Sequence, residues 1–413
     1  MEWLYSLSDR YPVTVVVGCA TACYVLYYLV EVVKRPVLVC KDGPWKGFLL
    51  KQMPILQENY YPTPWCVDGR LQSIIGCVIR GLMPDMAYER ELFDLKDGGT
   101  LSLDWLRRPP KDTKDPRPIL IFLPGLTGTS QSGYIKGFIQ SLGETEASCV
   151  VMNYRGMAGT ELKTTRTFCK ANSDDFEEVL GHIRSLYPGS PVVATGISLG
   201  GIWITNYLAT RGESAAQFLT AALVFSVPWN LFTATESLET PGLNLALNRR
   251  ITRSLCAVYD QYRSHLGGEN LPWRYDRVMK SELIRDFDNN FTALNFGYRD
   301  VDAYYRAASL DDRLHEVRVP LLCLNAEDDF FQPLRGIPIS RAQRSSHVAL
   351  AVTSRGGHVG FMEGLFPYRS YYSDRVFGQF ALGVLSNLDK IRAFEMAGDG
   401  VGTLRGCCDG VGY

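Results

Sequence analysis

This sequence lacks an excess of charge of either sign and carries few of the usual metal-binding patterns. It has 43 Lys and Arg residues against 44 Asp and Glu residues, so no overall basic field argues for nucleic acid as a partner. Its five histidines include no H-E-x-x-H motif, and its 11 cysteines include no C-x2-C pair. We therefore expect neither a metal nor a cofactor. Scattered cysteines in a large domain are typical of reduced thiols in a domain that faces the cytosol.

Charged residues are also missing from residues 11–30, a run dense in Val, Ala, Leu and Tyr. Twenty residues at 1.5 Å each match the hydrocarbon thickness of a bilayer. A cleaved signal peptide would need a shorter apolar region and a cleavage site, whereas Glu31 and Lys34 follow here. A buried core helix is the other alternative. We predict a membrane anchor within residues 1–35 that crosses the bilayer through residues 11–30.

Charges and a sequon bear on the orientation of this anchor. Four basic residues follow the apolar run (Lys34, Arg35, Lys41 and Lys46), and Arg10 precedes it. The positive-inside rule then favours a cytosolic C-terminal part. A single glycosylation sequon at Asn290 would be usable only in the opposite orientation. We expect a single-pass protein of the endoplasmic reticulum or another endomembrane, with the side of the large domain left open.

Residues 36–86 contain several prolines, at positions 54, 62, 64 and 84. Proline interrupts regular elements, so we predict an irregular strap that packs over the core near the membrane.

From residue 87 onward the sequence alternates between strand and helix patterns. A D-G turn at residues 97–98 predicts a β-hairpin of residues 89–95 and 100–106. Short apolar runs predict buried strands at residues 118–123, 148–153, 192–195, 220–226, 319–325 and 347–353. Helical patterns cover residues 174–187, 202–211, 333–342 and 368–385.

Repeated βαβ units predict a mostly parallel, doubly wound α/β sheet spanning residues 87–390. Residues 228–308 interrupt the alternation with helical spacing, which predicts a helical cap over a pocket. The glycine-rich residues 391–413 are expected to form a flexible tail whose Cys407 and Cys408 could be acylated, although two unmodified cysteines are the simpler interpretation.

One stretch, residues 191–206, has the pattern of a nucleophile elbow: a strand, then Gly196-Ile-Ser198-Leu-Gly200, then an apolar helical run. The turn is so tight that side chains two residues before and after the serine would collide, so Gly196 and Gly200 are both needed. A glycine-rich turn with a bystander serine is the simpler alternative. We predict that Ser198 is a nucleophile.

A serine nucleophile needs a base and an acid that orients the base. His358 follows the strand at residues 347–353 between glycines, at the sheet edge where catalytic groups gather. Asp329 follows the preceding predicted strand and is our candidate acid, with Asp328 or Glu327 as the alternative. A solvated acidic loop would also fit this cluster.

The negative charge that develops on the substrate needs two backbone N–H donors. One should be Leu199, the residue after the nucleophile. The other should come from residues 123–128, the loop after the strand at 118–123, where Gly125 allows a close turn and Leu126 is the candidate donor.

Taken in order, these motifs resemble a known family. They are Lys34–Val39, Tyr60–Trp65, Asp68–Gln72, Leu123–Gly128, Asn153–Gly156, Gly196–Gly201, Leu324–Asp329 and Gly356–Phe361. The sequence is similar to the membrane-anchored α/β-hydrolase domain-containing proteins 1 and 3 from the anchor to about residue 385. The resemblance implies an α/β-hydrolase fold with a helical cap and an N-terminal transmembrane helix. The family usually has Asn-Asn-Arg-Gly where this chain has Tyr154 as the second residue.

The resemblance also implies the triad Ser198, Asp329 and His358 and a serine hydrolase of lipid esters. In the protein-3 branch this is a phospholipase acting on phosphatidylcholine with medium-length or oxidatively truncated chains. A carboxylesterase or monoacylglycerol-type lipase remains an alternative, because a fold does not fix a substrate. An acyltransferase is another, although no histidine lies in an H-x4-D motif. A silent membrane scaffold would have been expected to lose a triad residue or an elbow glycine.

Overall fold

The computed structural model describes residues 12–110, 116–368 and 370–397. Its centre is a nine-stranded sheet with the order β1-β9-β8-β7-β6-β4-β5-β3-β2. The strands are β1 Val37–Val39, β2 Glu89–Asp94, β3 Thr100–Leu106, β4 Ile119–Leu123, β5 Ser148–Asn153, β6 Val192–Ile197, β7 Ala221–Phe225, β8 Leu321–Ala326 and β9 Val348–Thr353. The strands β5, β4, β6, β7, β8 and β9 run parallel. At the two edges, β1 and the β2–β3 hairpin pair antiparallel.

Helices cover both faces of the sheet. The chain begins and ends with helices in the described residues. In chain order they are α1 Pro12–Tyr27, α2 Pro44–Gln52, α3 Gly69–Gly81, α4 Gly133–Ser141, α5 Asp174–Leu186, α6 Leu199–Arg211, α7 Leu231–Leu238, α8 Leu243–Gln261, α9 Arg263–Leu266, α10 Tyr275–Met279, α11 Ile284–Phe287, α12 Ala293–Asn295, α13 Val301–Ala308, α14 Ile339–Ala342, α15 Tyr372–Leu385 and α16 Leu388–Ala397.

Successive residues of the central strands serve two separate cores. In β4, Ile119 and Ile121 pack with α5 and α6, whereas Leu120 and Phe122 pack with α2, α4 and α15. Side chains alternate between the faces of a strand, so a strand covered on both faces must be apolar throughout. This is why the short apolar runs predicted the parallel strands correctly.

Residues 228–308, all of which the structure describes, contain helices α7–α13 and no strand. Several of these helices share an apolar cluster with Tyr259, Trp273 and Phe291 at its centre. The predicted helical insertion is therefore present.

The N-terminal helix is long and apolar enough to cross a membrane. Helix α1 continues into a π-helical turn, Tyr28–Val32, so that Val13–Val32 form a continuous helix with a mean hydropathy of 2.0. None of its most apolar 18-residue window is buried against the rest of the described protein. Residues 1–11, which include the start of the predicted span, lie outside the described residues.

The strap of residues 36–86 packs on the core through Trp45, Phe48 and Tyr60, but the prediction that it is irregular was wrong, because it contains β1, α2 and α3. Asp68 begins α3, and its carboxylate accepts hydrogen bonds from the N–H groups of Arg70 and Leu71. The prolines lie outside the helix interiors. Pro44 occupies the first position of α2, where a proline favours a helix rather than breaking it.

Some predicted helices are shorter than expected. The helix predicted over residues 333–342 is a single 3-10 turn followed by the four-residue α14, because Pro338 interrupts it. The helix predicted from residue 368 begins at Tyr372. The flexible tail predicted from residue 391 is helical up to Ala397 as part of α16. Its remainder, with Cys407 and Cys408, lies outside the described residues.

Candidate active site

Ser198 is the single residue between β6 and α6, and its backbone is strained. Its φ angle is +53°, a region that L residues rarely adopt, and its N–H donates to the carbonyl oxygen of Phe225 over 2.8 Å. A Cβ atom on Gly196 would lie 2.4 Å from the carbonyl oxygen of Gly200, and one on Gly200 would lie 2.1 Å from that of Leu123. Both glycines are thus required, because a side chain at Gly196 would collide with the backbone of Gly200, and one at Gly200 with the backbone of Leu123.

His358 joins Ser198 to Asp329 through its two ring nitrogens. Its Nε2 lies 2.9 Å from Ser198 Oγ, and its Nδ1 lies 2.9 Å from Asp329 Oδ2. The Asp329 carboxylate is buried and also accepts the N–H groups of Phe331 and Gln332 through Oδ1. The Phe331 ring stacks on the imidazole with 4.1 Å between centroids. This arrangement can take the serine proton on Nε2 while the carboxylate holds the Nδ1–H tautomer.

The two alternative acids lie elsewhere. Asp328 Oδ1 accepts the N–H of Gly357 over 2.8 Å, while its Oδ2 is enclosed without a partner among the described residues. Desolvation raises the pKa of Asp328 to about 7. Glu327 is exposed at the protein surface. Of the three acidic side chains, Asp329 is the one within hydrogen-bond distance of the His358 ring.

The loop that carries His358 is held by helix α3, which sequence reasoning missed. The His358 N–H donates to Ser73 Oγ over 2.8 Å, and Ser73 Oγ donates in turn to the carbonyl oxygen of Gly69. Four residues on, the Met362 N–H donates to Gln72 Oε1. The contact is so close that a Cβ atom on Gly357 would lie 1.9 Å from the Gly69 oxygen. Residues 69–73 thus fix the backbone of the loop that carries His358.

The loop of residues 123–128 passes next to Ser198, and two tyrosines fix it. The Gly125 N–H donates to the hydroxyl of Tyr134 over 3.0 Å, and the hydroxyl of Tyr154 donates to the carbonyl oxygen of Pro124 over 2.6 Å. Tyr154 thus has a structural role at the position where it departs from the family pattern. Neither the Leu126 N–H nor the Leu199 N–H donates a hydrogen bond to another described residue. Their role as oxyanion donors stays a prediction.

An apolar cavity lies between this loop and the cap. Leu126 and Leu199 line one side and Leu255, Tyr259 and Phe291 of the cap line the other. The space measures about 610 Å³, including the part that is open to solvent. In the described part of the chain, no group of three or more His, Cys, Asp or Glu side chains could hold a metal ion.

The sheet order, the strand–serine–helix turn and the cap define an α/β-hydrolase. Residues 114–364 match the family model described as serine aminopeptidase, S33. Phospholipase ABHD3 of Mus musculus is 42% identical over 377 residues, which cover 91% of this chain and 90% of the relative. Monoacylglycerol lipase ABHD2 of Danio rerio is 27% identical and covers 84% and 82% of the two chains. The solved Pyrococcus furiosus esterase Pf2001 is 14% identical, covers 73% and 91% of the two chains, and superposes with a TM-score of 0.45.

This chain belongs to the α/β-hydrolase domain-containing family that includes the ABHD3 phospholipases. The family predicted from the sequence motifs is confirmed.

Proposed function

We propose that this protein is a membrane-bound serine hydrolase of lipid acyl esters, and specifically a phospholipase. The observation that carries the proposal is the hydrogen-bonded series Ser198–His358–Asp329 beside an apolar cavity. The 42% identity to proteins named phospholipase supports the same substrate class. The proposed substrate is a phosphatidylcholine with a medium-length or oxidatively truncated chain, as the family resemblance implies.

In the proposed reaction, Ser198 Oγ attacks the acyl carbonyl while its proton moves to His358 Nε2. The N–H groups of Leu126 and Leu199 stabilise the oxyanion. When the tetrahedral intermediate collapses, the imidazolium protonates the departing lyso-lipid oxygen and leaves an acyl-enzyme on Ser198. Water, deprotonated by His358, then releases the fatty acid and restores the serine. Asp329 remains ionised and keeps the imidazole oriented throughout.

The helix Val13–Val32 would hold the site at the membrane surface, next to its substrate. We propose a single-pass protein of the endoplasmic reticulum or another endomembrane with the hydrolase domain in the cytosol. The four basic residues that follow the apolar run, Lys34, Arg35, Lys41 and Lys46, support this orientation. Protease protection of intact microsomes tests it, because a cytosolic domain should be digested without detergent.

The decisive experiment is labelling of membranes with a fluorophosphonate probe, followed by assay on phosphatidylcholines. Wild type and Ser214→Ala, which changes an exposed surface serine, should label and hydrolyse alike. Ser198→Ala should lose labelling and at least about 10⁴-fold in activity. A folded wild-type protein that does not label would favour the silent scaffold and contradict the proposal.

A monoacylglycerol lipase is the second candidate, favoured by the likeness to the protein named monoacylglycerol lipase ABHD2. Competition between monoacylglycerol and phosphatidylcholine in one vesicle assay separates the two substrates. An acyltransferase would form the same acyl-enzyme but would pass the acyl group to an added alcohol faster than to water.

A further inference from the structure

Helix α3 is amphipathic, but its apolar side faces outward. Residues 71–79 contain no charged side chain. Its outward face carries apolar residues at helical spacing, namely Leu71, Ile74, Val78 and, just beyond its end, Leu82. The other two isoleucines, Ile75 and Ile79, are partly buried against Cys66, Met362 and Tyr371. Val78 is 64% exposed and Leu82 is 80% exposed. In a water-soluble protein this face would be expected to point toward the core.

The opposite face of α3 is polar and buried. Gln72 binds the backbone of Met362, and Ser73 binds that of His358. The guanidinium of Arg80 forms a buried ion pair with Asp374 at 2.7 Å. These contacts determine which side of the helix meets the protein, so the outward direction of the apolar side is a consequence of the fold.

A second exposed apolar surface adjoins α3. Residues 61–65 and 362–365 run alongside each other, with the Thr63 N–H donating to Met362 and the Trp65 indole donating to the carbonyl of Leu365. Phe366 and Tyr368 then project with 71% of their surface exposed, and their rings stack. We call this surface, together with the outward side of α3, the outer patch. Its members are Tyr61, Trp65, Leu71, Val78, Leu82, Leu365, Phe366 and Tyr368.

The outer patch is continuous with the membrane helix. The hydroxyl of Tyr28 donates to the carbonyl oxygen of Pro62 over 2.6 Å, and that of Tyr24 donates to Pro64. Both tyrosines belong to the helix Val13–Val32, and no residue of its most apolar 18-residue window is buried against the described protein. The segment next to Trp65 therefore contacts the membrane helix directly.

We propose that the outer patch is a second membrane-contact surface, seated in the interfacial layer of the same bilayer that holds the N-terminal helix. Contiguous exposed apolar surface of this kind marks an interaction site, and aromatic rings favour the interfacial layer. Because the buried side of α3 holds the His358 loop, this contact would orient the active site toward the lipid surface.

Depth-dependent quenching tests the contact without relying on catalysis. A fluorescent amino acid is placed at Val78, at Phe366 or at the control Leu92 in the full chain, reconstituted in phosphatidylcholine vesicles at low protein density. Leu92 is 63% exposed and lies on β2, at the opposite edge of the sheet from β1. Lipids brominated on their acyl chains should quench the Val78 and Phe366 probes at least about threefold more than the Leu92 probe.

Equal quenching at the three positions would overturn the proposal. Shielding of Val78 from aqueous iodide without quenching by brominated lipid would also overturn it, because a protein partner or a second copy of this chain would then cover the patch.

A second measurement addresses the consequence for lipid access. The double variant Val78→Ser with Leu82→Ser should retain hydrolysis of a soluble short-chain ester but lose about fivefold or more on phosphatidylcholine vesicles. Leu92→Ser should retain both activities. Equal losses on the two substrates would place the effect in the His358 loop and contradict the membrane role. Absence of all hydrolysis, with quenching as expected, would contradict the proposed function alone.

Discussion

Ser198 and His358 face each other in one site, yet they are held by different kinds of contact. The tight turn at Ser198 is possible because Gly196 and Gly200 have no side chains, and the Ser198 N–H binds Phe225 on the adjacent strand β7. The backbone of His358 is held by Ser73, which lies 285 residues earlier in the sequence. The position of Ser198, the proposed nucleophile, thus depends on a short motif in the central sheet, whereas that of His358, the proposed base, depends on the distant residues 69–73.

The extent of the family match sharpens this contrast. Residues 114–364 match the family model and include Ser198, Asp329 and His358. Ser73 and Gln72 lie outside that range, although both bind the histidine loop. A shared hydrolase core therefore contains the predicted reacting groups but not the helix that supports one of them.

The largest effect should come from Asp329, whose carboxylate contacts the His358 ring. Asp329→Asn keeps a hydrogen-bonding side chain but presents N–H to the imidazole and favours the wrong tautomer, so kcat should fall about 10⁴-fold. Asp328→Asn should keep kcat within about threefold, because Asp328 binds Gly357 rather than the imidazole. Steady-state kinetics on one soluble ester compares the two variants. The reverse ranking would make Asp328 the acid.

On the serine side, Gly200→Ala should destabilise the fold by more than about 4 kcal/mol, since the new Cβ would meet the backbone of β4. Thermal unfolding of purified protein measures the change. Gly181→Ala is the matched control. That glycine lies in α5 with open space around it, so alanine should stabilise the helix by about 0.5–1 kcal/mol. Tolerance of Gly200→Ala would mean that the elbow is less tight than described.

Asp328 should make stability depend on pH. Its pKa is about 7 in the folded protein, above the ordinary 3.8, so folding favours the protonated form. Stability is then lost as pH rises from about 4 to about 7, by up to about 4 kcal/mol. Asp328→Asn does not titrate and should become progressively more stable than wild type over that range. Unfolding temperatures at pH 4, 6 and 8 measure the difference, and a gap that stays constant with pH would contradict the prediction.

The smallest effect should come from Ser73, whose hydroxyl accepts the backbone N–H of His358. Ser73→Ala leaves the His358 N–H without its acceptor, so kcat should fall about tenfold with little change in KM. Ser254→Ala in α8 removes a similar bond to the carbonyl four residues earlier, but touches no catalytic loop, and should leave kcat unchanged. Equal kinetics for the two variants would mean that α3 does not position the histidine.

The same contrast explains what could be predicted from the sequence. Apolar runs predict the parallel strands, and a glycine lies two residues before and two residues after Ser198. His358 was identifiable because it follows a predicted strand and is flanked by glycines. These signals are all local, and they yielded the core of the fold and the three side chains that the structure brings together.

Helix α3 was not predicted because apolar residues lie on its exposed side and polar residues on its buried side. Its exposed side is apolar, with Leu71 and Val78, and its inner side carries Gln72, Ser73 and Arg80. Prolines lie on either side of it. The role of Tyr154 was hidden for a related reason. Its hydroxyl binds Pro124, 30 residues away, and a contact between distant segments leaves no periodic pattern in the sequence.

The short strand β1 has a practical consequence for shortening the chain. Val37–Val39 pairs with residues 350–352 and covers the outer edge of β9, a six-residue strand without a charged side chain. A fragment that begins near residue 34 would shed the membrane helix and keep this cover. A fragment that begins after residue 40 would leave the apolar edge of β9 unpaired, and unpaired strand edges promote aggregation. Solubility should therefore be better in the longer of the two fragments.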